Sequence, residues 1–241
     1  MSDAIVIIPT YNEIENIESI IRAVFSQEKV FHVLVVDDKS PDKTGERVKG
    51  LQNEFPDQLF LLEREEKSGL GSAYIAGFKW SLEKGYDYIF EMDADFSHNP
   101  DDLIRLYKAC SIEKADMSVG SRYVRGITVV NWPLSRILLS YGASRYVRLI
   151  TGMTVKDSTA GFVCYKRAVL EAMDLDKIEF VGYAFQIEMK FKACKKGFKI
   201  VEIPVIFKDR TQGKSKMSGS IISEAVFGVI SLKLKSLFTN K

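Results

Sequence analysis

DYIFEMDADFSHNPDD (Asp87–Asp102) sets a short apolar run against a burst of acids. The run Asp87–Met92 reads as a strand, and it ends in Asp93-Ala94-Asp95. Two carboxylates so close repel each other unless both face water or both hold a cation. Alternate side chains of an extended chain point the same way, so the pair can reach one ion. Glu91 shares their parity one step earlier. Asp101 and Asp102 follow Pro100, which suits the first turn of a helix, where acids favour the helix dipole. Strand, acidic rim, then helix is one repeat of an alternating α/β fold.

The repeat continues outward on both sides. AIVIIP (Ala4–Pro9), HVLVVD (His32–Asp37), LFLLE (Leu59–Glu63) and MSVGS (Met117–Ser121) are apolar runs of strand length. Unbroken apolar runs suit strands buried on both faces. The first intervening helix is expected from about Glu13, capped by Asn12, with Glu15 three residues on and Ile14, Ile17, Ile21 and Phe25 at helical spacing. Others are expected from Thr44 to about Asn53 and from Gly69-Leu70-Gly71 to about Lys84. The pattern predicts a mostly parallel sheet with helices on both faces. Ligands of such sheets bind at the carboxyl ends of the strands. Four polar clusters fall there: Pro9 to Glu13, Asp37-Asp38, Asp93 to Asp95, and Ser121-Arg122. Their convergence on one rim predicts a site.

The second half is less regular. Trp132–Gly152 reads as a helix, Asp157–Arg167 as a loop into a short strand, and Gly182–Gly197 as a helix stopped by glycine. Phe198–Phe207 reads as a strand with Pro204 near an edge. A basic loop, KDRTQGKSKMSGS, precedes a last helix from about Ser220 to Phe238. Ile222, Val226, Val229 and Ile230 make an apolar stripe on it. That stripe and the Trp132–Ile150 segment fit core-facing helices or helices lying in a membrane interface.

Composition narrows the classes. The chain has 241 residues, 46% hydrophobic and 27% charged, as in a soluble globular protein of one large domain or two small ones. Its 34 basic and 32 acidic side chains leave a net charge of +2, which gives no drive toward nucleic acid. Three widely spaced cysteines form neither a disulfide framework nor a zinc motif, which suits a reducing compartment. The N-terminus carries no signal-peptide pattern, and no run of apolar residues is long enough to span a bilayer.

The acids after strand four call for a hard cation, Mg²⁺ or Mn²⁺, bridging to phosphate oxygens. An EF-hand is excluded, because His98 stands where its loop requires glycine. Gly69, Gly71 and Gly77 do not form the dinucleotide fingerprint, and QGKS (Gln212–Ser215) lacks the first glycine of a P-loop, since Lys208 stands there. Asp37-Asp38 fits either a capping turn with Ser40-Pro41-Asp42 or a carboxylate that binds a base or ribose. Tyr11 fits either base stacking or local packing. Arg122, Arg136, Lys208, Arg210, Lys214 and Lys216 are either solvated charges or anion ligands, with the last four placed as a flap over a diphosphate. His32 reads as structural, and His98 has no nucleophile context for a hydrolytic triad.

PTYNEIENI, VVDDKSPDKT, GLGSAYIAGF, MDADFSHNP, VGSRYVRG, DSTAGFVCYKR, GYAFQIEM and DRTQGKSKMS occur in this order. Together they resemble the dolichol- or polyprenol-phosphate mannose synthases, inverting family 2 glycosyltransferases of GT-A fold. The resemblance covers nearly the whole chain and implies one GT-A domain over residues 1–241. Its nucleotide-binding half would be about 1–122, and its acceptor half about 123–241. It implies transfer of mannose from GDP-mannose to a polyprenyl phosphate with Mg²⁺ or Mn²⁺. By motif position, Pro9, Tyr11, Glu13, Val36 and Asp38 would hold the guanosine. Asp93 and Ala94 would contact the donor, and Asp95 with Ser97 would bind the metal. Arg210 and Lys216 would grip the diphosphate, and Arg122 and Arg136, with Ser140, the acceptor phosphate. The resemblance also implies a form without its own spanning segments, held at the cytoplasmic face of a membrane, with a membrane-anchor subunit as candidate partner.

The family's second turn usually reads DDGSPDGT, whereas lysines stand here at 39 and 43. Donors such as UDP-glucose or a UDP-aminosugar stay open on these residues, as does a non-catalytic sugar-nucleotide-binding protein. The QxxRW motif of chain-elongating relatives does not occur.

Overall fold

The computed structural model describes residues 2–182, 184–209 and 219–238. The first half alternates as expected. In chain order it runs β1 (Ala4–Thr10), α1 (Ile17–Phe25), β2 (His32–Asp37), α2 (Thr44–Gln52), β3 (Leu59–Glu63) and α3 (Leu70–Glu83). Then come β4 (Tyr88–Glu91), a short 3-10 turn at Pro100–Asp102, α4 (Leu103–Ser111) and β5 (Met117–Ser121). The second half adds β6 (Val129–Val130), α5 (Leu134–Thr151), β7 (Val163–Lys166) and α6 (Arg167–Glu171). It closes with α7 (Ala184–Lys195), β8 (Ile200–Pro204), β9 (Phe207–Lys208) and α8 (Gly219–Phe238).

Seven strands form one sheet in the order β3-β2-β1-β4-β7-β5-β8. Only β7 runs against the others, pairing antiparallel with both β4 and β5. The remaining strands therefore all end on one rim. Side-chain alternation along β1 divides the core. Ala4, Val6 and Ile8 pack on the side of α1, α2 and α4, and Ile5 and Ile7 on the side of α3 and α7. Both faces being covered explains why the first strands read as continuous apolar runs.

Two expectations need correction. Asn12 does not cap α1: it sits in the left-handed region at φ 59°, and α1 begins only at Ile17. The turn between them is closed by the Asn16 and Ile17 N–H groups donating to the Glu13 carbonyl, at 3.0 and 2.9 Å. The expected strand Phe198–Phe207 is two. β8 ends at Pro204 on the sheet edge, and β9 pairs with β6 in a separate parallel ribbon. Of the stripe read on α8, the side chains of Ile222 and Val226 lie outside the described residues, and the rest divides between core and solvent. Val229 and Leu232 are buried with α5 and α7 side chains, but Phe227, Ile230, Leu234 and Leu237 face out.

Candidate active site

The rim at the ends of β1 and β2 is built by two stitched turns. Asp37 accepts hydrogen bonds from Thr10 Oγ1 (2.7 Å), Ser40 Oγ (2.6 Å) and the Ser40 N–H (2.9 Å), so it serves as the turn's cap. Asp42 accepts from the Thr44 N–H at 3.0 Å and the Ile14 N–H at 3.1 Å, and Ser40 Oγ accepts from the Asn12 N–H at 3.1 Å. These bonds hold Lys39 and Lys43 at φ 53° and 69°. The lysines therefore keep the left-handed conformation that glycine adopts freely, at a cost of roughly 1–2 kcal/mol each.

Asp38 is the carboxylate left for other work. It is buried, with Arg64 Nε 2.9 Å from Oδ1 but off hydrogen-bond alignment, so that oxygen lacks a hydrogen bond. Burial raises its pKa, with Arg64 opposing and Asp37 adding. Tyr11 lies beside it with Lys67 Nζ 4.2 Å from the ring centroid. Pro9 and Glu13 flank the same turn. Val36 departs from the expected set: its side chain is fully buried in the core on the α3 side of the sheet and presents no surface to a ligand.

Beyond β4 the chain turns sharply, with Phe96 at φ 58°. Asp93 is half-exposed, while Ala94, Asp95 and Ser97 are buried. Asp95 Oδ1 accepts the Ser97 N–H at 3.1 Å, which brings the Ser97 hydroxyl close to that carboxylate. Ser97 Oγ is itself buried without a hydrogen-bond partner. An orphaned hydroxyl beside a carboxylate, with Asp93 adjacent, is an oxygen-only donor set that fits Mg²⁺ or Mn²⁺. Among the described residues no group of three or more His, Cys, Asp or Glu forms a complete cage. That suits a cation whose remaining ligands are diphosphate oxygens and water.

Sequence reasoning missed the support behind this turn. His98 Nδ1 accepts the Asp93 N–H at 3.2 Å while its ring stacks on Phe162 at 4.9 Å. Burial pushes its pKa down to about 4, against the pull of Asp95. The imidazole is therefore neutral, as an accepting Nδ1 requires. Glu91 accepts from Gln186 Nε2 (2.5 Å) and Tyr165 OH (3.1 Å). Lys190, fully buried, donates to Gln186 Oε1 (3.0 Å) and the Ala160 carbonyl (2.6 Å). Burial raises the Glu91 carboxyl to about 7 and lowers the Lys190 amine to about 8, while each favours the charged form of the other. Gln186 and Lys190 are four apart on α7, a spacing that gives one shared face but not its burial.

Arg122, Arg136 and Ser140 meet the acids in one cavity of about 440 Å³, which Asp93, Asp95 and Ser97 also line. Arg122 is buried, and Asp157 takes its Nε and Nη2 at 2.8 and 2.6 Å, with Thr159 Oγ1 on Nη2 at 2.9 Å. Asp157 also accepts the Arg122 N–H at 2.8 Å. Arg136 lies over the Trp132 ring at 4.0 Å, with Arg122 5.6 Å from the same ring. Both Asp209 oxygens meet Arg136 Nη1, at 2.9 and 3.0 Å. The two pairs differ in depth. Removing one partner of a buried pair such as Arg122–Asp157 costs about 3–5 kcal/mol. A half-exposed pair such as Arg136–Asp209 contributes about 0–1 kcal/mol. Ser140 Oγ accepts from Tyr123 OH at 2.7 Å. Arg210 and Lys216 lie outside the described residues.

This sheet, with an Asp-x-Asp turn on its rim, is the GT-A architecture of nucleotide-sugar transferases. Residues 5–174 match the family described as Glycosyl transferase family 2, and the chain belongs to that family. It is 48% identical over 225 residues to a polyprenol monophosphomannose synthase of Mycolicibacterium smegmatis, covering 93% of this chain and 84% of that protein. It is also 48% identical to an undecaprenyl-phosphate mannosyltransferase of Micrococcus luteus, covering 92% and 90%. Among solved structures, a mannosyltransferase from Pyrobaculum calidifontis in complex with GDP-Man and Mn²⁺ superposes with TM-score 0.64 at 19% identity, covering 99% of this chain and 65% of that one. A glucosyl-3-phosphoglycerate synthase from Mycobacterium tuberculosis with Mn²⁺ and UDP gives 0.69 at 16% identity, covering 96% and 78%.

Proposed function

We propose that the protein transfers mannose from GDP-mannose to the phosphate of a polyprenol, with inversion at the anomeric carbon. The observation that carries the reading is one cavity lined both by Asp93, Asp95 and Ser97 and by Arg122, Arg136 and Ser140. A donor diphosphate and an anionic acceptor need those two chemistries side by side. The 48% identity to polyprenyl-phosphate mannose transferases supports mannose and a lipid phosphate as the particular pair.

In this reading the Asp38 carboxylate holds the base beside Tyr11, and Pro9 and Glu13 shape that turn. Asp95 and Ser97, with Asp93, would hold Mg²⁺ or Mn²⁺, which would supply positive charge to offset that on the departing GDP. Arg210 and Lys216 are the further diphosphate ligands. Arg136 with Ser140 holds the acceptor phosphate, and Arg122 adds fixed positive charge that lessens repulsion between two anions. The acceptor oxygen is ionised near neutral pH, so no strong general base is required. It bonds to the anomeric carbon as the bond to the β-phosphate oxygen breaks, and GDP leaves.

Among the described residues no helix is long and apolar enough to cross a membrane. The reading places the protein at the cytoplasmic membrane surface, where a lipid phosphate is met, with a membrane-anchor subunit as a further partner. The test offers GDP-mannose or UDP-glucose with Mn²⁺ and a short polyprenyl phosphate. A mannosyl lipid is expected from GDP-mannose alone. Turnover of UDP-glucose with no mannosyl lipid overturns the mannose assignment.

A further inference from the structure

Two arginine–carboxylate pairs sit on one indole. Trp132 carries Arg136 at 4.0 Å and Arg122 at 5.6 Å from its ring centroid. Phe207 meets Trp132 edge-on at 5.2 Å and also lies 5.5 Å from Arg122. The pairs are not equivalent. Arg122 is gripped as a fork, by two nitrogens, inside a loop that is itself pinned. The Asp157 and Lys156 N–H groups donate to Glu202 at 2.9 and 2.7 Å, and Lys190 holds the Ala160 carbonyl at 2.6 Å. Asp157 is fully buried, so releasing Arg122 would strand its charge. Arg136 meets Asp209 through a single nitrogen, and both side chains are about one-third exposed, at 29% and 31%.

We propose that Asp209 is a placeholder: its carboxylate occupies Arg136 until the acceptor's phosphate displaces it, while Arg122 stays bound to Asp157. This rests on the reading above of a lipid-phosphate acceptor and assigns Asp209 a role in admitting it. A phosphate monoester can span two guanidinium nitrogens, the stronger geometry that Asp209 does not use. The Asp209 side chain also reaches solvent, whereas that of Asp157 does not. The Asp209 N–H donates to the Val130 carbonyl at 3.2 Å, so exchange needs rotation of a side chain and not displacement of the β6–β9 ribbon. Trp132 keeps the Arg136 plane in place while its partner changes. The same phosphate chemistry also occurs in the donor, so the test separates the two.

The measurement is steady-state kinetics of the full chain carrying Asp209→Asn, with short polyprenyl phosphate and GDP-mannose varied in turn. The acceptor KM is expected to fall about five-fold, the size of one half-exposed ion pair, with the GDP-mannose KM unchanged. Adding Arg136→Met is expected to erase the gain. An acceptor KM that stays or rises in a normally melting variant overturns the proposal, as does a change confined to GDP-mannose. If Asp209→Asn melts early, Asp209→Ser is read by the same criteria. If the wild-type chain turns over no polyprenyl phosphate, the functional reading fails instead. Calorimetric titration with a short prenyl phosphate then reads the exchange directly. Tighter binding to Asp209→Asn supports it, and equal or weaker binding overturns it.

Discussion

At the scale of single residues, Asp95 decides the metal reading. Its carboxylate accepts the Ser97 N–H and lies beside an orphaned hydroxyl, so it orders the turn as well as offering an oxygen. Asp95→Ala removes the Ser97 N–H bond, about 1 kcal/mol, and the protein should stay folded. Loss of electrostatic stabilisation at a departing diphosphate costs on the order of 3 kcal/mol, so the rate should fall about a hundredfold or more. Calorimetry should show GDP-mannose binding that no longer responds to Mn²⁺; near-wild-type activity would remove Asp95 from the metal site. His98 gives a second prediction, in metal-free protein. Its pKa falls to about 4 in the fold, against about 6.5 unfolded. Between those values the unfolded chain binds the extra proton, so stability is full above about pH 6.5 and declines as pH falls toward 4. The loss is on the order of 3 kcal/mol. Glu91, raised to about 7 from an ordinary 4.5, works the other way over the same range, so the readout is a difference: from pH 7 to 4.5 the melting temperature of the wild type should fall relative to that of His98→Gln. A gap between the two proteins that stays constant with pH would place the titration elsewhere.

At the scale of elements, glycines show which helix faces are closed. The first turn of α3 packs under the 178–182 segment, where the Gly71 N–H donates to the Val181 carbonyl at 2.8 Å. A Cβ on Gly71 would lie 2.8 Å from the Phe180 carbonyl oxygen and from the Phe185 ring. Backbone cannot yield as a side-chain tip does, so Gly71→Ala should destabilise by about 1–3 kcal/mol, offset in part by alanine's helix propensity. Gly50, on the exposed face of α2, has nothing within 4 Å of its added Cβ. Gly50→Ala should stabilise by about 0.5–1 kcal/mol. Denaturant midpoints moving in opposite directions confirm both; a neutral Gly71→Ala refutes the tight docking. The same elements show what the sequence could carry. β1 to β5 and their helices were legible because apolar runs and 3.6-residue spacing are local signals. β7 entering antiparallel between β4 and β5 was not, because pairing partners are not written in a four-residue strand. Nor was the Glu91–Gln186–Lys190 network. Residues 184–191 of α7 are all buried, so no polar stripe marks which of its charged side chains point inward. On the rim, Asp93 and Asp95 could be read from position alone. Asp157 and Asp209 could not, because their arginine partners lie 35 and 73 residues away.

At the scale of the whole molecule, the net charge of +2 conceals an uneven surface. On α8, Phe227, Ile230, Leu234 and Leu237 recur at spacings of three and four, which gives one outward apolar face. On α5, Leu134, Leu138, Leu139 and Leu149 are also exposed, Leu149 to 82%. The two helices share a buried seam through Val147, Val229 and Leu232. Cations lie close by. Arg145 is exposed on α5, Lys233 Nζ donates to the Thr151 carbonyl at 3.2 Å, and Lys235 pairs with Glu179. An apolar platform with neighbouring cations, and no described helix both long and apolar enough to cross a membrane, matches binding in the plane of a membrane interface. The α5 end of this platform borders the cavity, since Leu138 and Leu139 also line it. In the proposed reading, a lipid phosphate meets Arg136 in that cavity while its chain stays in the bilayer. Flotation should carry the protein up with vesicles rich in anionic lipid, less with neutral ones, and less again at high salt. Leu149→Asp with Phe227→Asp removes two large apolar contacts, each about 1.5–3 kcal/mol if fully buried. That double variant should stay in the dense fraction with unchanged melting, yet still use a short, water-soluble prenyl phosphate. A wild-type chain that ignores anionic vesicles, or a double variant that floats as well as wild type, would leave α5 and α8 as ordinary surface helices.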